Sequence, residues 1–396
     1  MSSLATTPFS AARQRLRISI VTETYPPEVN GVAITLEQMV NGLLDRGHHI
    51  QLIRPRQNRT DLPRCKGNLE ELPQPGMVIP FYPELRMGLP VGYRLARRWR
   101  HAAPDVVHIA TEGLLGYSAL CASRRLRLPV SSSFHTNFHS YSRHYGVGVL
   151  ATPIAAYLCR FHNRTACTLV PTQELAEHLQ SAGFTTLRVL HRGVDTRVFS
   201  PARRSPLLRE HWGASPEDPV LLYVGRLAAE KNLELAIAAF EAAQQRCPAA
   251  RFVLVGDGPV AATLQARYPH FIFAGLRRGE DLAEHYASAD IFVFPSLTET
   301  FGNVILEAMA SGLAVVAFDY AAARQHIEHN RSGLPVPYQD NQAFVAAVQS
   351  LIEQPNQRRE LGKEASRAAQ RWDWQRVHDQ LEAIFLELAH SGSDHG

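Results

Sequence analysis

Residues 288–318 read SADIFVFPSLTETFGNVILEAMASGLAVVAF, and the fold follows from how this stretch is parsed. Ile291 to Phe294 is an unbroken apolar run ended by Pro295, as for a strand covered on both faces. From Val304 to Ser311 the residues Val304, Ile305, Ala308 and Met309 recur at helical spacing. Gly312 stands where a helix C-terminal glycine belongs, and Leu313 to Phe318 predicts a second buried strand. Strand, loop, helix, strand is the repeating unit of a doubly wound α/β sheet. The intervening SLTETFGN brings the free N–H groups of a helix start into a loop, a surface suited to anions and hydroxyls. Glu299 in the loop and Glu307 two turns into the helix are spaced so that both can face one cleft without touching. Carboxylates accept paired hydrogen bonds from vicinal sugar hydroxyls. An isolated E-x7-E, however, more often marks a capping acid followed by a solvated one.

The longer run decides between these readings. PSLTETFGNVILEAMASGLAVVA, residues 295–317, closely resembles the signature of the large retaining glycosyltransferase family four, including the spacing of Glu299 and Glu307 and the TFGN between them. The resemblance extends over nearly the whole chain. It implies the GT-B fold, in which two Rossmann-like doubly wound domains face a central cleft.

With 396 residues the chain suits two domains of nearly 200 residues each. Its 45% hydrophobic and 20% charged residues describe a globular protein. No apolar run approaches the ~20 residues of a membrane span, and MSSLATTPFSAARQRLR lacks the apolar core of a signal peptide, so a cytoplasmic protein is expected. Cys65, Cys121, Cys159, Cys167 and Cys247 are scattered, odd in number and never in a CxxC, which predicts free thiols and no zinc site. The net charge of +4 hides an asymmetry: residues 1–198 hold 23 Lys+Arg against 13 Asp+Glu, and the remainder 18 against 24. An anionic partner for the first half would explain this, be it acidic lipid, phosphorylated substrate or nucleic acid, as would a merely solvated basic surface. No nucleic-acid module or internal repeat stands out.

In the first half, LRISIVT (16–22) predicts a strand, followed by the loop ETYPPEVNGVA and a helix from Ile34 to Arg46. Without G-x-G-x-x-G the loop argues against a dinucleotide site; Gly31 before the helix lets backbone approach a phosphate, and in the resembled family the matching glycine lies near the donor diphosphate. Residues 55 to 76, rich in Pro, Gly and polar residues, read as a loop excursion. LPVGYRLARRWRH (89–101) predicts a helix with Arg94, Arg97, Arg98 and Arg100 set among Val91, Leu95 and Trp99. Such a basic helix with an aromatic edge suits an anionic membrane or acceptor surface, or is an ordinary amphipathic helix. FHTNFHSYSRHYG holds His135, His139 and His144, but spacings of four and five without supporting carboxylates do not make a metal site. In the resembled family the histidine matching His135 lies over the donor sugar. The S-x-H-T-N motif is similar to the subgroup containing GDP-mannose-dependent α-mannosyltransferases and sulfoquinovosyl-diacylglycerol synthases. Arg192 and Asp195 resemble hinge residues with structural roles. The first domain is expected over 1–199, rejoined by a C-terminal helix at 374–396, and the nucleotide-sugar domain over 200–373.

The second half opens PVLLYVGRLAAEKNLELAIAAF, again strand, loop, helix. Arg226 and Lys231 in that loop combine two cations with a helix start, a diphosphate site by charge and dipole together; G-R-L-x-x-x-K-N also matches the family's diphosphate pair. RFVLVGDGPVAATL contains a relaxed G-x-G-x-x-A at Gly256, Gly258 and Ala261, but the acidic residue at dehydrogenase distance would be Glu280, at a helix start rather than a strand end. The resemblance instead puts Gly256 and Gly258 on the nucleotide side and Ala274, Gly275 and Leu276 against the base.

The expected reaction is retaining, metal-independent transfer of a hexose, mannose favoured, from a nucleotide diphosphate sugar to a hydroxyl of a glycolipid or cell-envelope glycan. No cofactor is implied. Arg226 and Lys231, with Gly31 and the helix start at Thr300, Phe301, Gly302 and Asn303, would stabilise the departing diphosphate. By resemblance Glu307 takes the ribose, and Glu299 and His135 the sugar. No carboxylate nucleophile stands out; the family's common view is same-face attack with the leaving phosphate taking the acceptor proton. A UDP-glucose or other UDP-hexose donor, a related epimerase or polymerising transferase, and a non-catalytic nucleotide-sugar-binding protein are the alternatives.

Overall fold

The computed structural model describes residues 14–393 except 29, 59, 80–81, 136–150 and 298–301. The chain divides into two compact units. The first runs to Leu190 and resumes at His378; the second spans His191–Val377.

In the first unit the strands are β1 (Arg17–Val21), β2 (His49–Pro55), β3 (Arg64–Lys66), β4 (Leu69–Gln74), β5 (Gly76–Ile79), β6 (Tyr82–Gly88), β7 (Val106–Ile109), β8 (Val130–Ser133), β9 (Cys167–Val170) and β10 (Leu187–Val189). The main sheet has the order β10-β9-β8-β7-β1-β2-β4-β3, parallel except for β3 at its edge. Four of the five residues of β1 are buried and all four of β7, as strands inside a covered parallel sheet must be.

The stretch 55–76 is therefore not the loop excursion its composition suggests. Leu69–Gln74 pairs in parallel with β2, Ile50 opposite Leu69, and is held there by charge. The buried Arg54 reaches Asp61 at 2.6 Å and Glu71 at 2.8 Å, so polar residues that look solvent-bound in sequence are consumed by one guanidinium. Burial raises the Asp61 carboxyl, but hydrogen bonds from Arg54 and Gln57 N–H outweigh it and hold the group below its ordinary value. The hairpin β5–β6 is a separate antiparallel pair that the sequence reading also missed.

The second unit is built on β11 (Val220–Val224), β12 (Arg251–Val255), β13 (Ile272–Gly275), β14 (Ile291–Phe294), β15 (Ala314–Phe318) and β16 (Leu334–Val336). All pair in parallel in the order β13-β12-β11-β14-β15-β16. This is the Rossmann order 3-2-1-4-5-6, with its switch point between β11 and β14. The quoted stretch supplies β14, the helix Asn303–Ala310 and β15; β14 and β15 are buried at every position. At roughly 25 cal/mol per Å2 of apolar surface, such fully buried Ile, Phe and Val side chains each contribute about 1.5–3 kcal/mol. Helices Gly279–Ser288, Ala322–His326 and Pro355–Ala369 pack against Asn303–Ala310.

The last helix, Trp374–Ser393, starts against Gly193, where a Cβ would stand 2.8 Å from the Trp374 ring. From His378 onward it belongs to the first unit: Arg46 reaches Asp379 at 2.6 Å and Glu382 at 3.2 Å, and Gln380 donates to the Val189 carbonyl at 2.9 Å. Among the described residues no helix is long and apolar enough to cross a membrane.

Candidate active site

Ligands of open α/β sheets sit beyond the strand C-termini at the switch point. In the second unit this places attention on the loops after β11, β12 and β14. The backbones of the first two are bonded to each other and to the end of β13. Gly225 N–H donates to Val255 O at 3.0 Å, Leu227 N–H to Asp257 O at 2.9 Å, and Gly256 N–H to Gly275 O at 2.9 Å. A Cβ on Gly256 (φ +136°) would lie 2.0 Å from Gly225 O, and one on Gly258 2.3 Å from Leu227 O. The GDGP glycines thus let one turn lie flat on the Arg226 loop. That explains a G-x-G without a dinucleotide.

The Tyr223 hydroxyl donates to Arg226 O at 3.1 Å and pins this loop. The Arg226 side chain is exposed and, among the described residues, makes no hydrogen bond or ion pair. Lys231 ends a short 3-10 turn, Ala229–Lys231, and Asn232 (φ +55°) redirects the chain into helix Leu233–Arg246. The Lys231 ammonium lies 3.4 Å from Ser296 Oγ and 5.7 Å from the centre of the Phe294 ring. The cationic loop after β11 and the loop after β14 therefore meet.

Beyond β14, Gly302 takes φ +55° and opens the helix whose second turn carries Glu307. Glu307 is part-buried and accepts a hydrogen bond from the Tyr286 hydroxyl at 2.9 Å. Burial pushes its carboxyl up to about 7 despite that bond. Among the described residues, the buried Asn303 Oδ1 has no hydrogen-bond partner. Gly275 and Leu276 are exposed at the end of β13, while Arg277 Nε donates to Ala274 O at 2.8 Å. Glu299, Thr300 and Phe301 lie outside the described residues, as do His139 and His144.

In the first unit, Gly31 is the first residue of helix Gly31–Asp45, and Asn30 Oδ1 caps it by accepting from Ala33 N–H at 2.9 Å. A Cβ on Gly31 would meet nothing within 4 Å, so the fold itself does not demand a glycine there. Glu28 is held by Thr24 Oγ1 at 2.6 Å and Gln57 Nε2 at 2.8 Å. His135 is part-buried, two residues past β8. Sequence reasoning missed Glu23, whose carboxylate accepts N–H groups from Gly88 and, at 3.0 Å, Leu115, clamping the loop after β1 to the end of β6 and to helix Leu114–Arg125. Its partners lie 65 and 92 residues away, so no local signal marks it. Glu112 closes a buried chain, Glu112 Oε1 to His162 Nε2 at 3.1 Å and His162 Nδ1 to Ser132 Oγ at 2.9 Å. Ser132 is fully buried and also bonds Thr165 and Thr168, which makes this a core network rather than a nucleophilic triad.

Helix Gly92–His101 differs from its expected form in one respect. Trp99 is not an edge aromatic; it is buried, its Nε1 donating to Gln51 Oε1 at 2.9 Å. Arg98 pairs with Glu70. Arg94, Arg97 and Arg100 are exposed with no partner among the described residues, beside Tyr93, which is 78% exposed. Arg192 is buried, which lowers its guanidinium to about 9, and Asp195 pairs with Arg197 at 3.1 Å. Among the described residues, no group of three or more His, Cys, Asp or Glu side chains is arranged to hold a metal ion.

Residues 29–198 match the sequence family described as Glycosyltransferase Family 4, and residues 218–354 that described as Glycosyl transferases group 1. A GDP-mannose-dependent alpha-mannosyltransferase of Mycobacterium tuberculosis is 34% identical over 375 residues, 92% of this chain and 95% of that protein. A protein of the same description from Mycolicibacterium smegmatis is 35% identical over 371 residues, 92% of this chain and 96% of its own. Among solved structures, a sucrose-phosphate synthase from Thermosynechococcus elongatus superposes with a TM-score of 0.78 at 19% identity, covering 95% of this chain and 100% of that one. At that identity the likeness speaks to the fold alone.

Proposed function

The chain belongs to glycosyltransferase family 4 and has its GT-B fold, and from that premise we propose that it is a retaining, metal-independent mannosyltransferase using GDP-mannose. The donor rests on the description shared by the two relatives. The observation that carries the reading is the 3.4 Å approach of Lys231 to Ser296, which brings the Arg226/Lys231 cations to the loop leading to Glu307.

The chemistry to be done is cleavage of the bond between the sugar C1 and the diphosphate. Both bonding electrons leave with the GDP oxygen, and charge grows on the phosphate. Arg226 and Lys231 meet that charge with two fixed cations, and the helix start at Gly302 and Asn303 adds aligned N–H groups. Gly31 offers backbone to the same phosphates, Glu307 takes the ribose hydroxyls, Ala274, Gly275 and Leu276 the base, and Glu299 and His135 the sugar. An acceptor hydroxyl attacks C1 on the face the GDP leaves, and its proton passes to the departing phosphate.

The acceptor in this reading is a glycolipid or envelope glycan. Arg94, Arg97 and Arg100, unpaired among the described residues and flanked by Tyr93, support peripheral contact with an anionic membrane surface.

A thermal-shift panel of nucleotide sugars tests the donor. GDP-mannose is expected to raise Tm most, through preferential binding to the folded state, with slow release of GDP in water. A larger shift with a UDP-hexose reassigns the donor. No shift and no release with any of them rejects the enzyme.

A further inference from the structure

Tyr286 lies outside the sequence motifs singled out above, yet its placement is restrictive. It sits in helix Gly279–Ser288, its side chain fully buried, the ring 5.7 Å from that of Phe199 and 5.8 Å from that of Phe292. Packing on both sides leaves the hydroxyl one direction, and it donates to Glu307 Oε2 at 2.9 Å. Among the described residues the other carboxylate oxygen, Oε1, has no partner. One oxygen is thus held from beneath and one is left to a ligand.

We propose that Tyr286 is a positioning residue for the nucleotide: its hydroxyl fixes the Glu307 carboxylate so that the remaining oxygen accepts both hydroxyls of a ribose diol. The inference rests on the reading above that Glu307 faces the ribose. A side chain donating to one oxygen selects a single carboxylate orientation before the ligand arrives, which spares the ordering that binding would otherwise require. Tyr286 stays protonated because burial and the neighbouring carboxylate both push its hydroxyl well above its ordinary value, so the donor is present at every working pH.

Most charges on the helices packed around Glu307 are paired elsewhere: Arg324 with Asp319, Lys363 with Glu360, Arg367 with Glu364, Asp281 with Arg277, Glu280 with Arg203 and Arg359 with Glu217. His326 meets Trp372 edge to face, and Tyr223, which acts on Tyr286, has its own hydroxyl on Arg226 O. Burial and the Tyr286 bond are what act on the Glu307 carboxyl. Ribose binding therefore weakens as pH falls below about 7, where the carboxyl gains a proton.

The test is calorimetric titration of wild type, Tyr286→Phe and Glu307→Gln with GDP and with 2′,3′-dideoxy-GDP, and with the UDP pair if that binds tighter. Tyr286→Phe keeps the ring and is expected to weaken GDP about tenfold while leaving dideoxy-GDP unchanged. It should raise the donor KM with little change in kcat and move the pH midpoint of GDP binding upward. Normal GDP binding by Tyr286→Phe, with Glu307→Gln impaired, overturns the positioning role and leaves the ribose assignment standing. Normal GDP binding by Glu307→Gln overturns the ribose assignment itself. Should Tyr286→Phe fail to fold, Tyr286→Leu, which also removes the hydroxyl, takes its place in the same titrations, and wild type tests the ribose assignment beneath the proposal. Its preference for GDP over dideoxy-GDP must shrink on acidification through pH 7, and a preference independent of pH sinks the proposal.

Discussion

The Lys231 ammonium lies 3.4 Å from the Ser296 hydroxyl, so residues 65 positions apart in sequence become neighbours at the C-terminal ends of β11 and β14. The contact is weak as a hydrogen bond and informative as geometry. It keeps a cation at the loop that leads into the helix carrying Glu307, and a leaving diphosphate gains from a cation and from a helix start alike.

Replacing Lys231 with Ala is expected to lower kcat/KM about 10²–10³-fold and weaken GDP, with a much smaller effect on Tm. Steady-state kinetics beside a melting curve checks this. Wild-type turnover in the variant contradicts the assignment.

Two glycines should separate folding from binding. Gly256→Ala forces a side chain onto φ +136° and within 2.0 Å of Gly225 O, and is expected to cost about 2–4 kcal/mol of stability. Gly31→Ala meets nothing and starts a helix, so stability should hold or rise by up to about 1 kcal/mol. Its affinity for GDP should nevertheless fall. Denaturation curves and titrations of the two variants must diverge in this way.

The Glu307 carboxyl carries a stability signature with a definite sign. Its ordinary value of 4.5 applies to the unfolded chain and about 7 to the folded one, so between those pH values the folded state keeps a proton the unfolded state has lost. Stability contributed by the site is thus greatest at low pH and declines as pH rises to about 7, by at most about 3 kcal/mol. Glutamine has no such charge to bury. In the absence of ligand, Glu307→Gln should therefore be more stable than wild type at pH 8.5, with the gap closing toward pH 5. Melting curves showing a constant gap would contradict the burial of that charge.

Removing Arg94, Arg97 and Arg100 together should abolish salt-sensitive binding to anionic vesicles, each charge contributing about 1 kcal/mol near such a surface. Arg98→Ala alone should matter less, because Glu70 already neutralises it. Co-sedimentation at low and high salt distinguishes these, and equal losses from Arg98→Ala and the triple variant would argue for some other face.

The parts of the fold that were legible share one property. The strands of the quoted stretch are buried on both faces, so nearly every position must be apolar, and the glycine ending its helix needs a positive φ (Gly312, +82°). Edge elements escaped. β4 carries LEELPQ, whose acids are matched by Arg54 and the sheet rather than by water, and the three-residue β16 is too short for a period. The GDGP turn was legible as glycine-requiring but not for its reason, which is the pressure of the Gly225 and Leu227 carbonyls.

The sequence by itself determined the GT-B class, the family and the residue types that do the chemistry, because buried parallel strands, helix-start loops and the E-x7-E run are encoded locally, within a dozen residues of one another. Only the tertiary structure decided that Lys231 meets Ser296, that Trp99 is core and Tyr93 surface, and that Tyr286 holds Glu307. These relationships join positions tens of residues apart. Hydrogen-bond direction and burial depend on where folded strands bring them, and no periodicity along the chain records that.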